Sequence, residues 1–218
     1  MKHLTGFLSL FLFAVLPLSA ADLSDLTYNT TNGKVTITDC DEAATGALVI
    51  PDTIRGNPVT SIGQRAFSTC DYLTSITIPD SVTSIGGYSF WACFGLTSIT
   101  IGNGVASIGD YAFQRCDKLT SITIPDSVTS IRLGAFYDCR SLTSVVIGNS
   151  VTSIGNFAFA ICRSLTSITF QGSAPDVGFN TFLDVAGGAI ATVTTANLSS
   201  FGRNLGRWNG FILRAPDA

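Results

Sequence analysis

The sequence predicts a β-rich α/β solenoid of 23-residue coils, capped at both ends. Three observations predict it. Cysteine recurs at one interval, at Cys70, Cys93, Cys116, Cys139 and Cys162. Six columns stay apolar at the same step: Leu73 to Leu165, Ile76 to Ile168, Ile78 to Phe170, Val59 to Val151, Ile62 to Ile154 and Phe67 to Phe159. Each unit also holds two short runs in which apolar and polar residues alternate. A lone unit cannot bury its apolar face, so the coils must stack.

Within a unit, Ser75-Ile76-Thr77-Ile78 has a period of two and β-branched residues, which predicts a strand. Pro79 or Gly102 ends it, and Asp80-Ser81 turns the chain. Val82-Thr83-Ser84-Ile85 predicts a second, shorter strand, and Gly86 a tight bend. The stretch G-x-x-A-F-x-x-C lacks alternation and predicts one helical or 3₁₀ turn. Equivalent strands should run parallel, about 4.8 Å apart. Arg132 stands where other units have Gly63, Gly86, Gly109 and Gly155, which predicts an altered bend in its coil.

The unit C-x-x-L-T-S-I-T-I-P-x-S-V-T-S-I-G-x-x-A-F resembles leucine-rich repeats. More closely, it is similar to the BspA-type, or treponemal-type, subfamily, over about Val59 to Phe170. The resemblance implies a curved, right-handed leucine-rich-repeat superhelix with a parallel sheet on one face. It implies a secreted or surface-attached protein engaged in adhesion and protein binding. It supplies no catalytic residue.

Four segments follow. Residues 1–21 read as a secretory signal: Lys2 and His3, an apolar run from Leu8 to Leu16, then small residues at Ser19-Ala20-Ala21. The run is shorter than the ~20 residues that span a bilayer. With no second apolar stretch, no membrane span is expected after cleavage, and the protein should lie outside the cytoplasm: secreted, on the cell surface or in the periplasm. Residues 22–58 form an N-terminal cap, with a hairpin turning at Asn32-Gly33 and a strand at Ala47–Ile50. Residues 59–170 are the solenoid. Residues 171–218 form a C-terminal cap, in which Phe179 and Phe182 continue apolar columns, Ile190–Thr194 forms a strand and Asn197 caps a short helix. Trp208, Asn209-Gly210 and Phe211–Leu213 close it as a hydrophobic lid.

Charged residues make up 12% of the chain, about half the usual share, and the net charge is −3. Nucleic-acid binding needs clustered Lys and Arg and is not expected. His3 is the only histidine and leaves with the signal, so the mature chain has no Ser-His-Asp, Cys-His or His-based metal site. No cofactor or metal is called for. Stacked cysteines point the same way, which suits buried free thiols better than disulfides. In leucine-rich repeats this position holds Asn or Cys, a small donor to a backbone carbonyl. Asp39, Asp41 and Glu42 read as a solvated turn, and Asp80 and Asp126 as periodic turn formers.

The variable columns carry the functional signal. Arg65, Tyr88, Tyr111, Gly134 and Phe157 follow the bend, and Ser68, Trp91, Gln114, Tyr137 and Ala160 precede the cysteines. Tyr, Trp and Arg are enriched at binding hot spots. Around the cysteines lie Tyr72, Phe94, Arg115, Arg140 and Arg163, and the ligand-binding candidates are therefore Tyr88, Trp91, Tyr111, Arg115, Tyr137 and Arg140. The expected role is non-catalytic recognition of an extracellular protein or glycan. The rivals are an aspartate-dependent glycoside hydrolase and a passive spacer.

Overall fold

The computed structural model describes residues 20–202 and 207–215. The signal expected over residues 1–21 lies, apart from Ala20 and Ala21, outside the described residues.

The N-terminal cap opens with a hairpin of β1 (Leu26–Thr31) and β2 (Lys34–Cys40). Asn32 and Gly33 both adopt left-handed φ, 52° and 69°, as a two-residue hairpin turn requires. Next come β3 (Gly46–Val49), β4 (Thr53–Ile54) and β5 (Asn57–Ile62). The coils then alternate longer and two-residue strands: β6 (Leu73–Thr77), β7 (Ser84–Ile85), β8 (Ser98–Thr100), β9 (Ser107–Ile108), β10 (Ser121–Ile124), β11 (Ser130–Ile131), β12 (Ser144–Ile147), β13 (Ser153–Ile154), β14 (Ser167–Phe170) and β15 (Asp176–Val177). The C-terminal cap adds β16 (Ile190–Val193), β17 (Arg207–Trp208) and β18 (Phe211–Arg214).

The odd strands β5 to β15 pair in parallel as one sheet, and β2 covers its open edge. The longer strands form two further sheets: β6 and β8 with β3 on the open edge of β6, and β10, β12 and β14 with β16 and β18 on the open edge of β14. Equivalent residues pair at 23-residue steps, as in Ile122↔Val145 and Val145↔Ile168. Each cap therefore donates strands to edges that would otherwise expose unpaired backbone.

Between the sheets runs a spine of buried rings. Phe67, Phe90, Phe113, Phe136 and Phe159 stack with centroids 5.0–5.1 Å apart. Phe182 extends the stack at 5.7 Å. Phe179 does not extend a buried column: it is 68% exposed, with its edge on Phe157.

The stretch from the bend to the cysteine keeps i→i+3 bonds of 3₁₀ type, such as Ser68 N–H to Arg65 O and Cys70 N–H to Phe67 O. It never propagates, because two residues per coil are left-handed: Arg65 and Thr69, then Tyr88 and Ala92, then Tyr111 and Arg115. The bend glycines are not left-handed. Their role is close approach: a Cβ on Gly86 or Gly109 would lie 2.6–2.7 Å from the backbone of the preceding coil. Arg132 leaves the local bonding unchanged, contrary to the altered bend expected of it. Its N–H reaches Ile108 O at 3.0 Å, as Gly109 reaches Ile85 O, and its guanidinium pairs with Asp110 at 3.1 Å.

All six cysteines are free and buried. Cys93, Cys116, Cys139 and Cys162 donate to the carbonyls of Phe67, Phe90, Phe113 and Phe136 at 2.9–3.2 Å, each 26 residues back. Burial pushes the Cys116 and Cys139 thiols well above their ordinary value of 9.0. Since the thiolate is the reactive form, a water-soluble thiol reagent should modify none of the six in the native protein and all six after unfolding. Unfolded, Cys116 and Cys139 ionise near pH 9, while in the folded chain they stay protonated. Stability is thus full below that value and falls as pH rises past it.

In the C-terminal cap, the 3₁₀ segment Thr195–Phe201 begins earlier than Asn197, with Thr194 at its N-cap. The Asn197 amide instead donates to Gln171 O at 3.0 Å. Trp208 packs against Phe170 and Phe201 at 5.0 and 5.1 Å, and Phe211 meets Phe182 edge-on at 4.9 Å. These rings close the core.

Candidate recognition surface

The left-handed column after each bend sets the site. It projects Arg65, Tyr88, Tyr111 and Phe157 outward from successive coils, all with φ between 55° and 60°. Tyr88 and Tyr111 stack at 5.1 Å and 20°, and the Arg65 guanidinium sits 5.5 Å from the Tyr88 ring. Cation–π and ring–ring contacts thus hold half-exposed rings in one orientation.

Gly134 opens the strip. A Cβ there would overlap the Tyr111 ring, so the missing side chain lets that ring tilt over the next coil. The result is a cavity of about 380 Å³ lined by Tyr88, Tyr111, Gln114, Tyr137 and Phe157. Burial, then the Tyr88 phenol, raises the Tyr111 pKa. Its hydroxyl therefore stays protonated through neutral pH, able to donate as well as accept. Rings give apolar faces here, and Gln114 and the phenols give hydrogen-bond groups at the rim.

The six candidates separate into groups. Tyr88, Tyr111 and Tyr137 line this cavity. Trp91 is half-buried one coil away from Gln114 in their shared column and does not line it. Arg115 and Arg140 are turned to another task. Arg140 grips the buried Asp138 carboxylate through two bonds of 2.8 and 3.0 Å. Arg115 lies 4.0 Å from the same carboxylate and 5.2 Å from the Phe94 ring. Arg140 is thus paired with a carboxylate of its own coil, and Arg115 stands near that carboxylate from the coil before, so one negative charge faces two positive ones. Phe157 and Gln114 belong to the cavity although the candidate set omits them. Their membership in the variable columns was the available signal.

The carboxylates serve the turns. Asp80 accepts the Asn103 N–H at 2.6 Å, and Asp126 accepts the Asn149 N–H and side-chain amide at 2.8 and 2.9 Å. Asp41 caps a local turn, and Glu42 accepts the Thr69 hydroxyl at 3.0 Å. Among the described residues, no group of three His, Cys, Asp or Glu side chains is placed to hold a metal. No helix among them is long and apolar enough to cross a membrane.

Parallel ladders at 23-residue steps, a cysteine donating inward in each coil and capped ends define a leucine-rich-repeat solenoid. The chain belongs to the BspA-type leucine-rich repeat family, whose model it matches in six copies over residues 60–187. It is similar to the leucine-rich repeat protein of T. pallidum, at 32% identity and a TM-score of 0.65, over 69% of this chain and 71% of that one. A leucine-rich cell surface protein from Faecalibacterium prausnitzii is 31% identical with a TM-score of 0.60, over 78% of this chain and 52% of that one. The pneumococcal vaccine antigen PcpA shares the fold at 22% identity and a TM-score of 0.63, over 83% of this chain and 51% of that one. The chain thus spans about half the length of the last two. No curated protein matches it.

Proposed function

We propose that this chain is a secreted or surface-displayed recognition module that binds an extracellular protein or glycan without catalysis. The observation that carries the reading is the Tyr88–Tyr111 stack, held half-exposed beside the gap at Gly134 and opening onto the cavity closed by Tyr137 and Phe157. Preoriented rings lose little entropy on binding and suit a sugar face or an apolar loop. The carboxylates bonded into turns argue against an acid–base pair. The F. prausnitzii relative, a cell surface protein, supports placement outside the cytoplasm. The test is a panel of immobilised glycans and extracellular-matrix proteins, probed with the parent and with a Tyr88→Ser/Tyr111→Ser variant. At least one saturable ligand should appear with the parent and weaken at least tenfold with the variant. Ligands that bind both proteins alike would move the site elsewhere.

A further inference from the structure

The cysteine corner carries most of the solenoid's positive charge. Residues 59–170 hold six Lys and Arg: Arg65, Arg115, Lys118, Arg132, Arg140 and Arg163. Four of them, Arg115, Lys118, Arg140 and Arg163, flank Cys116, Cys139 and Cys162 in three consecutive coils. Asp117 and Asp138 flank the same cysteines, so four cations meet two carboxylates in a chain whose net charge is −3.

The cations differ in what they touch. Arg140 bonds Asp138 through Nε and Nη2, which leaves its Nη1 group open. Arg115 stands 4.0 Å from the same carboxylate. Both side chains remain accessible, at 41% for Arg115 and 59% for Arg140. Lys118 and Arg163 are exposed, and neither takes part in an ion pair among the described residues. Ser141 and Ser164 follow Lys118 in its column, one and two coils on, with hydroxyls not bonded within the described residues. None of these side chains lines the tyrosine cavity.

The spacing of the two unpaired cations is set by the backbone. Lys118 and Arg163 lie two coils apart, about 10 Å given the ~4.8 Å between parallel strands. The ladders and the buried ring stack fix that distance.

We propose that this corner binds a linear acidic glycan, with one carboxylate per disaccharide, laid along the solenoid axis. An extended β-linked chain repeats its disaccharide at close to two coil steps, so successive carboxylates meet Lys118 and Arg163. The neutral sugar between them lies over the middle coil, where Arg140 Nη1 and the Ser141 hydroxyl can bond its hydroxyls. A stiff glycan meets both cations without ordering flexible arms, whereas an acidic peptide must freeze each side chain to do so. This surface is separate from the tyrosine cavity, and either can fail without the other.

The probe is a fluorescently labelled hyaluronan octasaccharide, titrated into the full chain by anisotropy. It should bind saturably at low ionic strength and weaken as salt rises, since the contacts are exposed charges. Lys118→Glu/Arg163→Glu should weaken binding at least tenfold, and Lys118→Gln/Arg163→Gln several-fold. Both residues are exposed and unpaired, so the variants should melt like the parent. Lys34→Glu/Arg55→Glu makes the same change in net charge at exposed positions of the N-terminal cap and should bind within about twofold of the parent. A capped peptide of four Ser-Glu repeats, with the same number of carboxylates, should bind at least tenfold more weakly, and an uncharged chitin octasaccharide should not bind. The proposal is overturned if hyaluronan shows no saturable binding, or if Lys118→Glu/Arg163→Glu binds it like the parent. An equal loss in Lys34→Glu/Arg55→Glu would reduce the effect to overall charge and overturn it as well. So would equal binding of the peptide or of the uncharged glycan.

Discussion

Deleting residues 188–218 should lower the unfolding free energy by about 6–12 kcal/mol and make the chain aggregate. Val193, Phe201, Phe211 and Leu213 are all buried in the cap. At about 1.5–3 kcal/mol for each buried apolar side chain, these four supply that range. It rivals the total stability of an ordinary domain, about 5–15 kcal/mol. The deletion also strips β16 from β14, leaving a parallel strand edge and the Phe170 and Phe182 rings facing water. Unpaired edges of this kind template association between chains. A urea melt and a sedimentation measurement check both halves. A truncated chain that stays monomeric with an unchanged midpoint would show that the repeats need no lid.

Phe113→Ala should cost about 3–5 kcal/mol, the range for removing a buried phenylalanine whose cavity cannot collapse. Phe113 is fully buried, with rings stacked at 5.0 Å on one side and 5.1 Å on the other. The coils above and below are held by ladder bonds and by the Cys116 and Cys139 thiols on the neighbouring carbonyls, so relaxation is limited. In a repeat array the loss weakens two interfaces at once. Phe179→Ala, at an exposed ring, should change stability by less than about 0.5 kcal/mol in the same melt. Equal effects at the two positions would contradict the spine.

The solenoid was legible because its causes are periodic. Leucine, isoleucine, phenylalanine and cysteine recur at one step, and each occurrence states the same burial. Asn32-Gly33 and Asn209-Gly210 were legible for a local reason: both residues of each pair adopt left-handed φ. Less legible was the choice of residues for backbone work. Glycine in the bend column suggests a left-handed turn, yet those positions serve coil-to-coil contact, and the left-handed residues are Arg65, Tyr88, Tyr111 and their equivalents. Steric contact with a coil 23 residues away leaves no local signature.

The recognition surface was legible by column and not by depth. Tyr88, Tyr111 and Tyr137 meet because their columns are neighbours. Arg115 and Arg140 share that neighbourhood in sequence, but Arg140 turns to bond Asp138 and Arg115 lies beside the same carboxylate, an outcome set by side-chain direction. Gly95 and Gly104 interrupt columns of larger residues, and a Cβ at either would overlap the Asp71 or Asp80 carbonyl of the coil before. Their meaning appears only when the packing distance between coils is known.

The central claim is that recognition resides in the tyrosine-lined cavity and not in the uniform threonine rows. It is tested most directly by measuring the affinity of the tightest panel ligand for Tyr111→Ala and Thr143→Ala, each confirmed as folded. Truncating a buried hot-spot ring costs about 2 kcal/mol or more, roughly thirtyfold in Kd. Tyr111→Ala should show that loss. Thr143 already gives its hydroxyl to Thr120 O at 2.9 Å, so Thr143→Ala should bind within about twofold of the parent. If Tyr111→Ala binds like the parent, or Thr143→Ala loses as much, the rings are packing and the account of the site is wrong.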